Sequence, residues 1–313
     1  MKEEIIISGR NNHLIDPVLN VWHWEIPAYL FLGGLSAGIL FFAAFYHLRY
    51  PNKAISDTLK KAVMLTPIFL VLGLGVLMLD LKNPLMSWRL YTSFSIESPM
   101  SWGAWTLMLV VPLSFMWSFV MVKDIFPNVK WPFAFIDTLE EFLKSKCRIM
   151  AWILLIFSII LGIYTGILLS AFNARPFWSN PILGPLFLVS GMSTAAALIT
   201  WLSKDHEEIR KFTRIDLWLI SVEIFMIIHV FMGMLAGTQL QIEGIGMFLG
   251  GEYTYIFFGG VIILGLLLPA LLELLEMYGK KIPAFIPAIM ILIGGLIFRI
   301  VMVEAGQVSS VIY

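Results

Sequence analysis

Eight apolar stretches, each about long enough to cross a lipid bilayer, recur along this chain and decide what it can fold into. Hydrocarbon offers no hydrogen-bond partner, so a crossing segment must satisfy its own backbone. A helix of roughly 17–25 mostly apolar residues does so. Six stretches are free of charge: Ala62–Leu79, Trp102–Val122, Ile149–Ala174, Pro176–Ser203, Tyr253–Leu272 and Ile282–Phe298. Two more, Glu25–His47 and Asp216–Gly237, carry isolated polar residues. With 59% of residues hydrophobic and 13% charged, no soluble domain has use for so much apolar surface. The expected fold is all-α: a polytopic membrane protein of eight transmembrane helices arranged as two four-helix bundles. The first bundle takes residues 1–178 and the second 179–313, with the split at the turn Asn173–Asn180. No internal repeat relates the halves.

Charge gives the orientation. One set of loops receives 15 basic residues: Arg49, Lys53, Lys60, Lys61, Lys123, Lys130, Lys144, Lys146, Arg148, Lys204, Arg210, Lys211, Arg214, Lys280 and Lys281. The other set receives five: Lys2, Arg10, Lys82, Arg89 and Arg175. Short loops rich in Lys and Arg stay in the cytoplasm, which places both termini outside a cytoplasmic (inner) cell membrane. The segment Lys123–Arg148 holds acidic and basic residues in helical spacing and is expected to lie along the membrane surface. The polar N-terminus lacks the short apolar run of a cleaved signal peptide. A net charge of zero gives no ground for a nucleic-acid partner. The single cysteine, Cys147, excludes a disulfide framework and a cysteine-ligated iron–sulfur cluster on this chain.

This orientation gathers the polar, Trp-rich stretches on the outer face. Val21–Tyr29 leads into the first helix, Leu79–Phe94 follows the second and Ser98–Trp105 opens the third. Tyr164–Trp178 ends the fourth, and Arg299–Gln307 ends the eighth. Within the first helix, Gly34-Leu-Ser-Ala-Gly38 is a small-xxx-small pattern that lets another helix approach closely.

The same stretches carry a family resemblance. The runs Leu79-Asp-Leu-x-x-Pro84, Ser98-Pro-Met-Ser-Trp-Gly103, Tyr164-Thr-Gly-x-Leu-Leu-Ser-Ala171, Arg175-Pro-x-Trp178 and Arg299-x-x-x-x-x-Ala-Gly-Gln307 resemble the NrfD/PsrC family. The resemblance spans Trp22 to Gln307. It implies a quinone-reactive membrane subunit of a respiratory oxidoreductase, with menaquinone or ubiquinone as substrate and no haem or iron–sulfur cluster of its own. It also implies partners: an extracytoplasmic, ferredoxin-like iron–sulfur subunit and, through it, a catalytic subunit that is often a molybdopterin enzyme. In such relatives the quinone site uses the start of the first helix and a later tyrosine, stretches here occupied by Tyr29 and Tyr164.

A quinone takes up two electrons and two protons, so its site needs hydrogen-bond donors and a titratable group near the headgroup plane. Glu25 and Tyr29 are four residues apart and share a helix face. His23 lies just outside, and Tyr164 and Asp80 approach the same leaflet. Where characterised relatives present a histidine on the first helix, this chain has Tyr29. Glu25 and Asp80 are therefore the candidate proton-exchanging groups, and His23, Tyr29 and Tyr164 the candidate quinone ligands. Each has a plainer alternative: the tyrosines as packing residues, Glu25 and His23 as interfacial residues, and Trp22, Trp24, Trp88, Trp102 and Trp105 as interface anchors.

Ionisable groups at membrane depth are costly and normally paired. Asp80 and Arg299 read either as a structural ion pair or, for Asp80, as part of a proton path. Glu223 and His229 read as buried residues that bond neighbouring helices or relay protons, though a six-residue separation does not give them one face. Arg89 and Arg175 either hold a partner subunit or brace loops. Glu273 and Glu276 read as facing cytoplasmic water beside Lys280 and Lys281. Haem is excluded because His23, His47 and His229 lie at different depths. The rival reading is a secondary transporter or proton-conducting subunit without quinone chemistry, but the mid-membrane stretches lack the broken helices such folds favour. A passive anchor does not need eight helices. No metal site is expected.

Overall fold

The computed structural model describes residues 22–51, 55–92, 95–129 and 131–309. Lys2, Arg10, Val21, Lys53, Ser93, Phe94 and Lys130, and the N-terminal segment read for a signal peptide, lie outside the described residues. Eight helices are long and apolar enough to cross a membrane: α1 (Glu25–Arg49), α2 (Asp57–Asp80), α3 (Pro99–Ile125), α4 (Ala134–Ser170), α5 (Leu183–Leu202), α6 (His206–Leu235), α7 (Ile256–Met277) and α8 (Phe285–Val308). The first half of α7, Ile256–Leu267, is π-helical. The chain is a multi-pass membrane protein, and no strand occurs among the described residues.

Two helices form the centre. In α1 and α5, 72% and 78% of the most apolar window is buried inside the protein, against 28% in both α6 and α7. Accordingly α1 packs against α2, α4, α5 and α8, and α5 against α1, α2, α4, α6 and α8. The expected close approach at Gly34–Gly38 is realised here, with α5 as the partner. A Cβ on Gly38 would stand 2.5 Å from the Gly191 carbonyl oxygen, and one on Gly191 would stand 2.7 Å from that of Gly34. Only backbones without side chains come this near. Gly265 of α7 and Gly294 of α8 meet in the same way.

The structure corrects several helix boundaries. Residues Ala134–Arg148 do not form a separate surface segment but continue directly into the fourth span, making one helix of 37 residues. At 1.5 Å per residue that is about 55 Å, well beyond a hydrocarbon core of about 30 Å. Glu140, 3% exposed, anchors the extension by accepting from the Trp131 indole at 2.7 Å, Lys144 at 2.7 Å and Lys123 of α3 at 2.9 Å. Helix α6 begins at His206, capped by the Asp205 carboxylate, so Asp216 lies inside the span rather than at its start. Likewise α8 runs on to Val308, which leaves Arg299 fifteenth of 24 residues, near mid-helix.

Candidate functional site

At the Trp-rich end of α1–α4, the candidate residues come together. Tyr29 of α1 and Tyr164 of α4 are 4% and 7% exposed, and their phenol groups face each other. Gly103 of α3 makes this possible, since a Cβ there would stand 1.9 Å from the Tyr164 ring. The glycine that closes Ser-Pro-Met-Ser-Trp-Gly is thus the floor of the tyrosine site. Gly73 of α2 lets the Tyr29 ring lie 3.7 Å from where its Cβ would be. Tyr91, from the short helix Arg89–Thr92, also approaches Tyr29, a neighbour that its loop position gave no reason to single out.

Above the tyrosines lie three groups that can exchange protons. Glu25 sits one turn before Tyr29, half-buried, with Oε2 shielded from solvent and bonded to no described residue. Asp80, at the end of α2, is close enough to Glu25 and His23 to feel both charges, and His23 is exposed. The order from surface to interior is therefore imidazole and carboxylates first, then the paired phenols. An unbonded carboxylate oxygen over two buried hydroxyls can accept and pass on a proton, and the phenols can donate to a carbonyl oxygen.

Asp80 and Arg299 are not a pair. Arg299, fully buried, donates from Nη1 to the Gly295 carbonyl at 2.7 Å and to the Ser190 hydroxyl at 3.2 Å. Its guanidinium carbon lies 5.6 Å from the Phe31 ring centre and 5.5 Å from that of Phe187, and its charged neighbour is Glu223. Gly34 and Gly295 leave the room it occupies. Glu223 is buried at 2% exposure and faces Ser190. His229, by contrast, is exposed rather than buried, lies against the Phe225 ring at 4.1 Å between centres and bonds that residue's carbonyl on its own helix at 2.9 Å. It contributes nothing to the Glu223 environment. Glu273 does not face water either: it is 2% exposed, and its carboxyl faces that of Asp216.

The arginines of the Trp-rich face divide. Arg89 is exposed and lies 5.8 Å over the Trp88 ring. Arg175 is buried at 3% and donates to the Ser309 carbonyl, so it braces the end of α8 rather than facing a partner. Trp178 joins the brace, donating its indole N–H to the Met302 carbonyl at 2.8 Å where Gly306 clears space for the ring. Gln307 closes it, accepting from the Trp22 backbone N–H at 2.8 Å and donating to the Trp22 carbonyl at 2.7 Å. Trp22 is therefore a packing residue, 5.3 Å from Trp178, and not a lipid anchor. Two of the recurrent motifs, Arg-Pro-x-Trp and Ala-Gly-Gln, build this clasp and not the tyrosine site.

Comparison with known proteins gives one consistent family. The family model described as "Polysulphide reductase, NrfD" matches residues 12–311. The protein NrfD of Escherichia coli (strain K12) is 32% identical over 304 residues, covering 92% of this chain and 96% of the relative. The C subunit of the polysulfide reductase of Wolinella succinogenes is 29% identical over 301 residues, covering 92% and 94%. A protein NrfD homolog of Haemophilus influenzae is 26% identical over 310 residues, covering 92% and 95%.

Proposed function

The chain belongs to the polysulphide reductase NrfD family, and we propose on that premise that it is the quinone-reactive membrane subunit of a respiratory oxidoreductase complex. The quinone ring is held between Tyr29 and Tyr164, whose hydroxyls donate to its carbonyl oxygens. Glu25 exchanges the protons, with Asp80 and His23 connecting it to the surface. The basic face is cytoplasmic and the Trp-rich face extracytoplasmic, so both ends of the chain lie outside. An iron–sulfur subunit docks on the Trp-rich face, where exposed Trp88 and Arg89 present a platform, and a catalytic subunit, molybdopterin-dependent by family analogy, follows it. The circuit of packing α1–α2–α3–α4–α1 supports a first four-helix bundle that owns this site, and the packing of α5 on α6 and α8, with α8 on α7, supports a second.

One observation carries this reading: the phenols of two different helices face each other under a carboxylate oxygen that has no bonding partner among the described residues. Buried polar atoms are normally satisfied, and an orphan beside a donor pair marks a place where a polar guest completes the network. Titrating the purified protein with 2,3-dimethyl-1,4-naphthoquinone tests it. Combining Tyr29→Phe, Tyr164→Phe and Glu25→Gln is expected to weaken binding by about 100-fold, two hydrogen bonds at about 1.4 kcal/mol each. Unchanged affinity in the triple variant would remove the site.

A further inference from the structure

At the basic face, the start of α6 and the end of α7 enclose a cleft that the chemistry above does not use. It measures about 1070 Å³ and is lined by His206, Arg210, Arg214, Lys280 and Lys281. None of these five forms an ion pair among the described residues, whereas Lys60, Lys123 and Lys144 of the same face each do. Lys211 also lines the cleft, but its ammonium lies 4.2 Å over the Tyr46 ring and is engaged there. Arg210 and Arg214 stand four apart on one side of α6, where like charges repel. Gly279, with a φ of +90°, turns the chain so that Lys280 and Lys281 close the other side, and the Lys280 N–H donates to the Leu275 carbonyl at 3.0 Å to fix that turn. Two carboxylates oppose these cations and are outnumbered: exposed Glu207, and Glu276 beside His206. The inner wall holds Thr213, 1% exposed, whose hydroxyl has no hydrogen-bond partner among the described residues. Thr66, Thr106, Thr165, Thr194 and Thr200 all donate to a carbonyl three or four residues back on their own helices, and Thr213 does not.

We infer that this cleft binds the phosphodiester headgroup of an anionic membrane phospholipid. The planar guanidiniums of Arg210 and Arg214 suit phosphate oxygens, which they can bond two at a time, and Lys280 and Lys281 add charge from the opposite side. An anion between the two arginines turns their repulsion into attraction, and it gives the Thr213 hydroxyl the acceptor it lacks. The position of the cleft selects a lipid over a soluble anion. Helix α6 has 30 residues, about 45 Å at 1.5 Å per residue against a hydrocarbon core of about 30 Å, so its first turns stand among the headgroups. Helices α6 and α7 are also the least sheltered of the eight spans. Trp218, one turn beyond Arg214, is 75% exposed, and Leu271 and Leu274 of α7 are 52% and 43% exposed. Such apolar surface receives the acyl chains of a lipid whose headgroup fills the cleft, and a free phosphate makes no use of it. Basic pockets between spanning helices on the lysine-rich side suit anionic headgroups for this combined reason.

A cationic surface that only sets the orientation of the spans attracts anions diffusely, and binding measurements separate it from a built site. The full chain, purified in a neutral detergent, is titrated with dioleoyl phosphatidylglycerol and separately with dioleoyl phosphatidylcholine, and native mass spectrometry counts the lipids retained. One phosphatidylglycerol is expected to bind about tenfold more tightly than phosphatidylcholine, which has the same phosphodiester and chains but no net negative charge. Equal retention of the two lipids by the unsubstituted chain would overturn the site, whatever the variants do. Arg210→Gln combined with Arg214→Gln is expected to abolish the preference. Lys61→Gln combined with Lys146→Gln removes as much charge from the same face and is expected to leave it. If this control pair weakens binding as much as the arginine pair, the attraction is diffuse and the site is lost. Thr213→Val alters no charge and is expected to weaken phosphatidylglycerol about fivefold, the worth of one hydrogen bond. Unchanged affinity in that variant would overturn the placement of the headgroup against the inner wall. Inorganic phosphate in large excess is expected to displace little of the lipid, and full displacement would assign the cleft to a soluble anion instead. No quinone enters these measurements, so the naphthoquinone titration can fail while the lipid site stands.

Discussion

The two polar regions of this protein solve opposite problems. The tyrosine site in α1–α4 is shallow: its charged members, Glu25, Asp80 and His23, reach the surface, and only neutral phenols go deep. The system in α5–α8 is deep: Asp216, Glu223, Glu273 and Arg299 are all at most 2% exposed. Charge in hydrocarbon is expensive, so the shallow site keeps its ionisable groups where water helps, and the deep one surrounds them with serines, aromatic faces and one another. A site that must admit a molecule from lipid can hold few buried charges. The α1–α5 contact at Gly34, Gly38 and Gly191 is a close backbone approach between these two regions, which also meet through α4 with α5 and α1 with α8.

That contrast can be broken or sharpened by substitution, beginning at the junction. Gly191→Val places a branched side chain where a bare Cβ already stands 2.7 Å from backbone oxygen. Overpacking between two backbones has no flexible neighbour to yield, so the expected outcome is that almost no folded protein is recovered, read by size-exclusion of detergent-solubilised membranes. Next in size, Arg299→Met removes the cation of the deep region and leaves Glu223 without its charged neighbour. Losing a buried guanidinium that donates to the Gly295 carbonyl and the Ser190 hydroxyl is expected to cost about 1–3 kcal/mol, which thermal unfolding in detergent would show as a drop in midpoint. If Arg299→Met unfolds where the parent does, the deep charges are not coupled. Smallest in stability is Asp80→Asn in the shallow region, expected to cost under about 0.5 kcal/mol because the group is half-buried and in no ion pair among the described residues. The same variant is expected to slow quinol-linked electron transfer by about tenfold, so its two readouts diverge.

Much of the fold could be read from the sequence because hydropathy reports what lipid demands, and all eight spans were expected near where they lie. The Gly34–Gly38 approach was also legible, since small residues spaced four apart have few other uses in a membrane helix. Among the candidate residues, Tyr29, Tyr164, Glu25, Asp80 and His23 do gather at one end of α1–α4. The deep region was hidden by the rule used to find spans. Charge marked where a helix should stop, so Asp216 became a helix start, Glu273 a surface residue and Arg299 an outer-end residue. Each is interior beside polar groups of other helices, Asp216 on Ser193, Glu273 facing Asp216 and Arg299 on Ser190, and no single stretch of sequence displays those neighbours. His229 failed for a related reason. Periodicity put it on a different face from Glu223, yet nothing local said that its face pointed to lipid.

The clasp of Trp22 with Gln307 has a consequence for how the molecule can be rebuilt. Two hydrogen bonds hold the start of the first span to the end of the last, so the described polypeptide closes on itself like a bracelet. A short peptide joining these ends, with the chain reopened in the connection between α1 and α2, changes the order of synthesis without disturbing a single helix neighbour. Such a circular permutant is expected to assemble, and it would place both new termini on the lysine-rich side.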